Sequence, residues 1–136
     1  MRRIATVFCV TFVLNAIWEN LHSPLYDNYK GGEITEFILL RASLFDALVI
    51  SAVVLPFLYL SILKNKSWLI IFVGTIVAVF NEWYGLSTAR WTYNDLMPIL
   101  PVLEIGLTPA IQLGVLGYAS LRLQEYIFSR YSSSRR

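Results

Sequence analysis

Apolar residues fall along this chain in four long runs broken by short polar stretches, over about residues 3–22, 38–63, 67–86 and 99–122. Each run is long enough to cross a bilayer as a helix, which takes roughly 20 residues. Lipid offers no partners to backbone N–H and C=O groups, so a spanning segment must be a helix or belong to a closed barrel. The alternating pattern of barrel strands is absent. The pattern therefore predicts an all-α fold: a four-transmembrane-helix bundle forming one domain over residues 1–128, with a short basic disordered tail over 129–136.

Polar residues interrupt the runs at helical spacing. Thr11, Asn15, Glu19 and His22 are spaced four, four and three apart, which keeps them on one stripe of a helix. Glu104, Thr108 and Gln112 make a similar stripe in the fourth run, and Ser43 and Asp46 share a face in the second. In the third run Gly74, Ala78, Glu82 and Gly85 put an acid on a small-residue face, where helices approach closely, so Glu82 is expected to face the bundle. Arg41 points away from the Ser43 and Asp46 face, to snorkel outward or curl back to a carboxylate.

The connections predict direction. Between the second and third runs lies only the basic turn "KNKS", whereas "HSPLYDNYKGGEITE" and "STARWTYNDLMP" are longer and aromatic. Lys and Arg gather at Arg2 and Arg3, at Lys64 and Lys66, and after Arg122, so the positive-inside bias puts both termini in the cytoplasm. Tyr26, Tyr29, Trp83, Tyr84, Trp91 and Tyr93 then form an outer aromatic rim. A secretory signal is the competing reading of the start, with Arg2 and Arg3 before an apolar core and a cut after Ala16, although Leu14 suits the minus-three position poorly.

Composition agrees with the pattern. The 136 residues are 57% hydrophobic and only 15% charged, too apolar for a soluble domain of this length, and assign the chain to the cell (inner) membrane as a multi-pass protein. Its partners are then membrane lipids and, in a homo- or hetero-oligomer, other membrane helices. A net charge of +2, with no nucleic-acid motif, speaks against nucleic-acid binding. The one cysteine, Cys9, excludes an intrachain disulfide.

Depth links the acids. Glu19 lies 15 residues beyond Ile4, Asp46 lies 17 before Leu63, Glu82 lies 15 beyond Ser67 and Glu104 lies 17 before Leu121. At about 1.5 Å per residue, all four sit roughly 22 to 26 Å from the inner face, in one slab of the outer leaflet. An acid at a helix centre costs about 2.5 to 3.5 kcal/mol on insertion scales, so these four are expected to be protonated, paired with Arg41 or Arg90, or exposed to a wet pocket.

Two chemistries suit such a pocket. Glu19 and His22 form the Glu-x-x-His step of di-iron bundles, but that pattern needs two such steps and the chain has one histidine. A single ion held by Glu19, His22, Asp46, Glu82 and Glu104 stays open, and no motif specifies a cofactor. Acid–base chemistry needs less, because crowded carboxyls disfavour joint ionisation and so supply an acid and a base together. The candidate catalytic residues are Glu19, His22, Asp46, Glu82 and Glu104, with His22 as a relay to outer water. Asn15, Asn81, Arg90, Trp91 and Gln112 are the candidate substrate-binding residues.

The stretch "NEWYGLSTARWTYNDLMPILPVLEIGLTPAIQLG" resembles a segment of small uncharacterised bacterial polytopic membrane proteins. More faintly, it resembles the "RW-aromatic" loop and "LP..E" helix of heterodimeric lycopene cyclase subunits. Those domains carry paired glutamates after the Leu-Pro, whereas "LPVLE" supplies Glu104 alone. The cyclase resemblance implies a membrane enzyme acting on an isoprenoid, with Glu82 and Glu104 as acids.

Internal likeness is also present: "NAIWENL" and "FNEWYGL" close two outgoing helices, and "LYDN" and "TYND" follow in the next loops. Duplication and chance both account for it. Pro98 and Pro101 suit the entrance of the fourth helix, while Pro109 inside it is expected to kink it, and Pro56 to do the same in the second. Three functional classes remain: an acid–base enzyme acting on a lipid or isoprenoid, a proton- or cation-coupled transport component, and a non-catalytic accessory protein. Transport would call for polar residues through the inner half too.

Overall fold

The computed structural model describes residues 1–133. Four helices dominate: α1 (Arg2–His22), α2 (Glu36–Tyr59), α3 (Leu69–Ser87) and α4 (Leu107–Ser133). Between them lie four short strands, β1 (Tyr26–Tyr29), β2 (Trp91–Tyr93), β3 (Ile99–Leu100) and β4 (Ile105–Gly106). The segments Arg2–Leu25, Glu36–Tyr59 and Leu69–Ser87 are long and apolar enough to cross a membrane.

Local chemistry sets the ends of these helices. Pro24, two residues past the end of α1, has no N–H to continue the helical ladder, and the chain passes through a 3-10 turn at Ser23–Leu25 into β1. Thr35 caps α2, its hydroxyl accepting the Ile38 N–H at 3.4 Å, with Glu36 in the first turn complementing the helix dipole. Pro56 lies one turn from the end of α2, and a 3-10 segment at Ser61–Lys66 makes the expected tight basic connection.

The buried stripe of α1 is Val7, Thr11, Asn15 and His22, as its polar spacing predicts. On α3, Gly74, Ala78, Glu82 and Gly85 are all buried, so the small-residue face does turn inward. α1 packs on α2 and α3 on α4; α4 also lies against α1 and α2, while α2 and α3 meet only briefly. The α3/α4 crossing is a backbone contact, since a Cβ at Gly74 would sit 2.5 Å from the Gly114 Cα. An apolar core of Val7, Ile50, Val54, Ile70, Leu113 and Leu121 fills the bundle beneath the polar cluster. Large side chains such as Phe37, Leu48, Phe72, Ile76 and Phe80 are left on the outside.

The start of the fourth helix departs from expectation. Residues 99–106 form a hairpin, Ile99 opposite Gly106 and Leu100 opposite Ile105, and α4 begins only at Leu107. Proline is the physical reason: Pro98 and Pro101 hold Met97 and Leu100 out of helical backbone, and Pro101 favours a turn. Pro109 therefore stands in the first turn of α4, where a missing N–H loses no helical bond, so it cannot act as an interior kink. The far end differs too. The expected tail from residue 129 is helical through Ser133, continuing the α4 ladder, and residues 134–136 of that tail lie outside the described residues.

Candidate functional site

At the loop end of the bundle, all four helices contribute to one cavity of about 510 Å³. Its floor is a polar cluster centred on Gln112, in the second turn of α4. The two hydrogens of the Gln112 Nε2 are shared among three acceptors, Asn15 Oδ1 at 3.0 Å, Glu19 Oε1 at 2.7 Å and Asp46 Oδ2 at 2.8 Å. Thus α1, α2 and α4 meet at one amide nitrogen, and the Glu19 and Asp46 carboxyls are near neighbours. Asn15 is held in place by its own Nδ2, which donates to the Thr11 carbonyl at 2.9 Å. Asn15, Asp46 and Gln112 are buried, and a buried polar group left unpaired is costly, so each member depends on the others.

Glu82 comes from α3 and forms a second acidic position in the same cavity. Trp91 Nε1 donates to its Oε2 at 3.2 Å, and the Tyr93 hydroxyl donates to the same oxygen. Both donors lie on β2. Gly85, one turn beyond Glu82, makes room for this arrangement, because a Cβ there would stand 1.9 Å from the Trp91 ring.

A two-stranded ribbon roofs the cavity. β1 and β2 pair antiparallel, Tyr26 opposite Tyr93 and Tyr29 opposite Trp91. Asn28 Nδ2 donates to Thr92 Oγ1 at 2.7 Å, and Asn94 Nδ2 donates to the Pro24 carbonyl at 2.6 Å. At the end of β1, Lys30 and Gly31 turn the chain with positive φ of 51° and 75°, the conformation of a tight hairpin turn. The two "Tyr, Asn, Asp" loops noted in the sequence are thus direct partners in space.

His22 lies below this ribbon. Its Nδ1 is 2.9 Å from the Trp18 carbonyl and so carries the hydrogen, leaving Nε2 as the other ring position. Its ring meets Tyr26 edge-on at 5.4 Å, and Tyr26 meets Tyr93 at 5.3 Å. Burial pushes both phenols well above the ordinary tyrosine range, and the Glu82 charge adds to this, so both are neutral at physiological pH.

The structure brings together Asn15, Glu19, His22, Asp46, Asn81, Glu82, Arg90, Trp91 and Gln112; all line the cavity except Asn15, which supports its floor. Glu104 is not with them. It is exposed at the turn of the β3–β4 hairpin with φ 55°, and the expected stripe through Thr108 to Gln112 is broken by the late start of α4. Thr108 instead turns its hydroxyl to the Met97 sulfur. Trp83, still exposed, donates to the Leu103 carbonyl at 3.0 Å.

Neither arginine pairs with an acid. Arg41 lines the cavity and donates to the Tyr29 hydroxyl at 2.6 Å, and Arg90 donates to the Tyr84 hydroxyl at 3.0 Å. Among the described residues the one ion pair, Arg122 to Glu125, lies far down α4. Among them, too, no three His, Cys, Asp or Glu side chains converge to hold a metal ion. Lys30, Tyr29 and Tyr84 are cavity residues that sequence reasoning did not single out for a site; Tyr84 meets Arg90 locally, whereas Lys30 comes beside Arg90 only through pairing between distant loops. No family model, curated protein or solved structure matches this chain, and the functional reading therefore rests on the geometry of the cavity.

Proposed function

We propose that this chain is a four-span protein of the cell (inner) membrane that performs acid–base chemistry on a lipid or isoprenoid in an outward-facing pocket. The supporting observation is that Glu19, Asp46 and Glu82 line one cavity whose other walls include Ile38, Leu39, Phe45, Ala78 and Leu113. Cavities of a few hundred Å³ with apolar walls and few polar groups suit small organic ligands.

The chemistry that fits is a double-bond shift. One carboxyl delivers a proton to an alkene carbon, and a neighbouring carboxylate removes a proton from the carbon beside the resulting cation. One C–H bond forms and one breaks, with no net redox change. Geometry of this kind contributes to rate by holding acid and base on either side of the reacting carbons. Conduction is less well supported, since Val7, Ile50, Val54 and Ile70 make an apolar core beneath the floor.

Two measurements check these claims. For the chemistry, the purified protein in liposomes of native lipid extract is incubated in D2O, and the lipids are weighed by mass spectrometry. The expected result is deuterium at carbon in one lipid class, absent from protein-free liposomes and lost in E19Q, D46N or E82Q variants that keep their fold. If no lipid gains deuterium, the catalytic reading is wrong and an accessory role replaces it. For the topology, D95C and N65C are made separately in a C9A background and exposed in intact cells to a membrane-impermeant maleimide. D95C should label at once and N65C only after lysis; the reverse pattern would invert the orientation.

A further inference from the structure

Three cations flank the cavity, and none forms an ion pair. Arg41 projects from α2, Arg90 follows α3, and Lys30 lies at the end of β1, its N–H donating to the Arg90 carbonyl at 2.7 Å. All three rest on tyrosines: Arg41 and Lys30 over Tyr29 at 5.5 and 5.7 Å, Arg90 over Tyr84 at 4.9 Å. Cation–π contact and the hydrogen bonds to the phenols hold the guanidinium groups in position without neutralising them. A cationic rim of this kind above an acidic floor is a division of charge within one cavity, positive at the mouth and negative below.

The space between follows α2. Ile38, Leu39, Ala42 and Phe45 line the cavity from that helix, at the spacing of one face, and Ala78 and Asn81 line it from α3. These are the two helices that meet only briefly, so the cavity occupies the gap between them. Arg41 and Asp46 are five residues apart on α2, a rise of about 7 to 8 Å between their backbone positions, with Asp46 the farther from the loop end.

We propose, resting on the reading of the site as a lipid-modifying pocket, that its substrate is a phosphate-bearing amphiphile. The phosphate is held by Arg41, Arg90 and Lys30, and the chain runs down the α2/α3 gap past Asp46, Glu19 and Glu82. Guanidinium groups bind phosphate oxygens through paired N–H donors, which gives the site both its affinity for the head and a fixed depth for the chain. The carboxyls then act on chain carbons close to the headgroup, because the bound phosphate fixes how far down the gap the chain lies.

The test titrates the purified full-length protein in dodecyl maltoside with four probes: dodecyl phosphate, dodecanol, inorganic phosphate and dodecyltrimethylammonium. Binding is read from tryptophan emission, since Trp91 lines the cavity, and from the shift in melting temperature. Dodecyl phosphate should bind saturably and roughly tenfold or more tighter than dodecanol, as expected for charge-assisted bonds. R41Q and R90Q should each weaken dodecyl phosphate roughly tenfold and leave dodecanol unchanged. K30Q gives a third reading if either arginine variant fails to fold.

Dodecanol or the quaternary amine binding as tightly as dodecyl phosphate would overturn the proposal. So would unchanged binding in all three variants that fold. Inorganic phosphate matching dodecyl phosphate would show a free phosphate site and remove the amphiphile. E82Q separates the two readings: retained dodecyl phosphate binding with lost deuterium incorporation supports both. Discriminating binding with no deuterium incorporation by the native protein would leave the headgroup site and sink the chemistry.

Discussion

Tyr93 links the roof of the cavity to one of its acids, because its hydroxyl donates to Glu82 and is held neutral by burial. Tyr26 opposite it is shifted in the same direction. A phenol whose folded pKa is raised binds its proton more tightly in the native than in the unfolded chain. Stability is then flat below about pH 10, the ordinary tyrosine range, and falls above it as the unfolded state alone loses protons. Thermal melts across pH 7 to 11 should show this decline, and Y93F should make it shallower. A melting profile of Y93F as steep as that of the native chain would remove Tyr93 as its source. At this scale the sequence was partly legible. Glu19, His22, Asp46 and Glu82 were found by depth and helical face, but Glu104 was misplaced because counting back from Leu121 assumes unbroken helix. Gln112, read as one polar residue of a stripe and a candidate substrate-binding residue, is the hub of the floor; no spacing rule shows that three other residues converge on its amide.

Among the elements, α3 and α4 depend on glycine at their crossing. A Cβ at Gly114 would stand 2.3 Å from the Ile71 carbonyl oxygen, a backbone atom that cannot rotate away. G114A should therefore cost about 1 to 3 kcal/mol, as overpacking does, and lower the melting temperature. G32A is the control, because its Cβ would meet only the Tyr29 carbonyl at an ordinary 3.7 Å, and it should melt within a degree or two of the native chain. The helices themselves were readable from apolar runs, and the inward face of α3 from its small residues. The β3–β4 hairpin was not, since its apolar residues continue the run, and only Pro98 and Pro101 marked the break. Those two prolines were read as the entrance of a helix because either role tolerates a missing N–H.

For the whole molecule, the likeness between the two loops was visible in sequence, but its meaning lay in three dimensions. Tyr26 and Tyr93 are 67 positions apart and face each other across one ribbon. That ribbon closes the chain into a ring: from Tyr26 through α2, the basic turn and α3 to Tyr93, then back across hydrogen bonds. The gap between α2 and α3 is consequently bounded at one end by the ribbon and at the other by the turn at Ser61–Lys66. If the pocket acts as proposed, substrate and product share this one space, so the product's departure sets the earliest moment at which the next molecule is admitted.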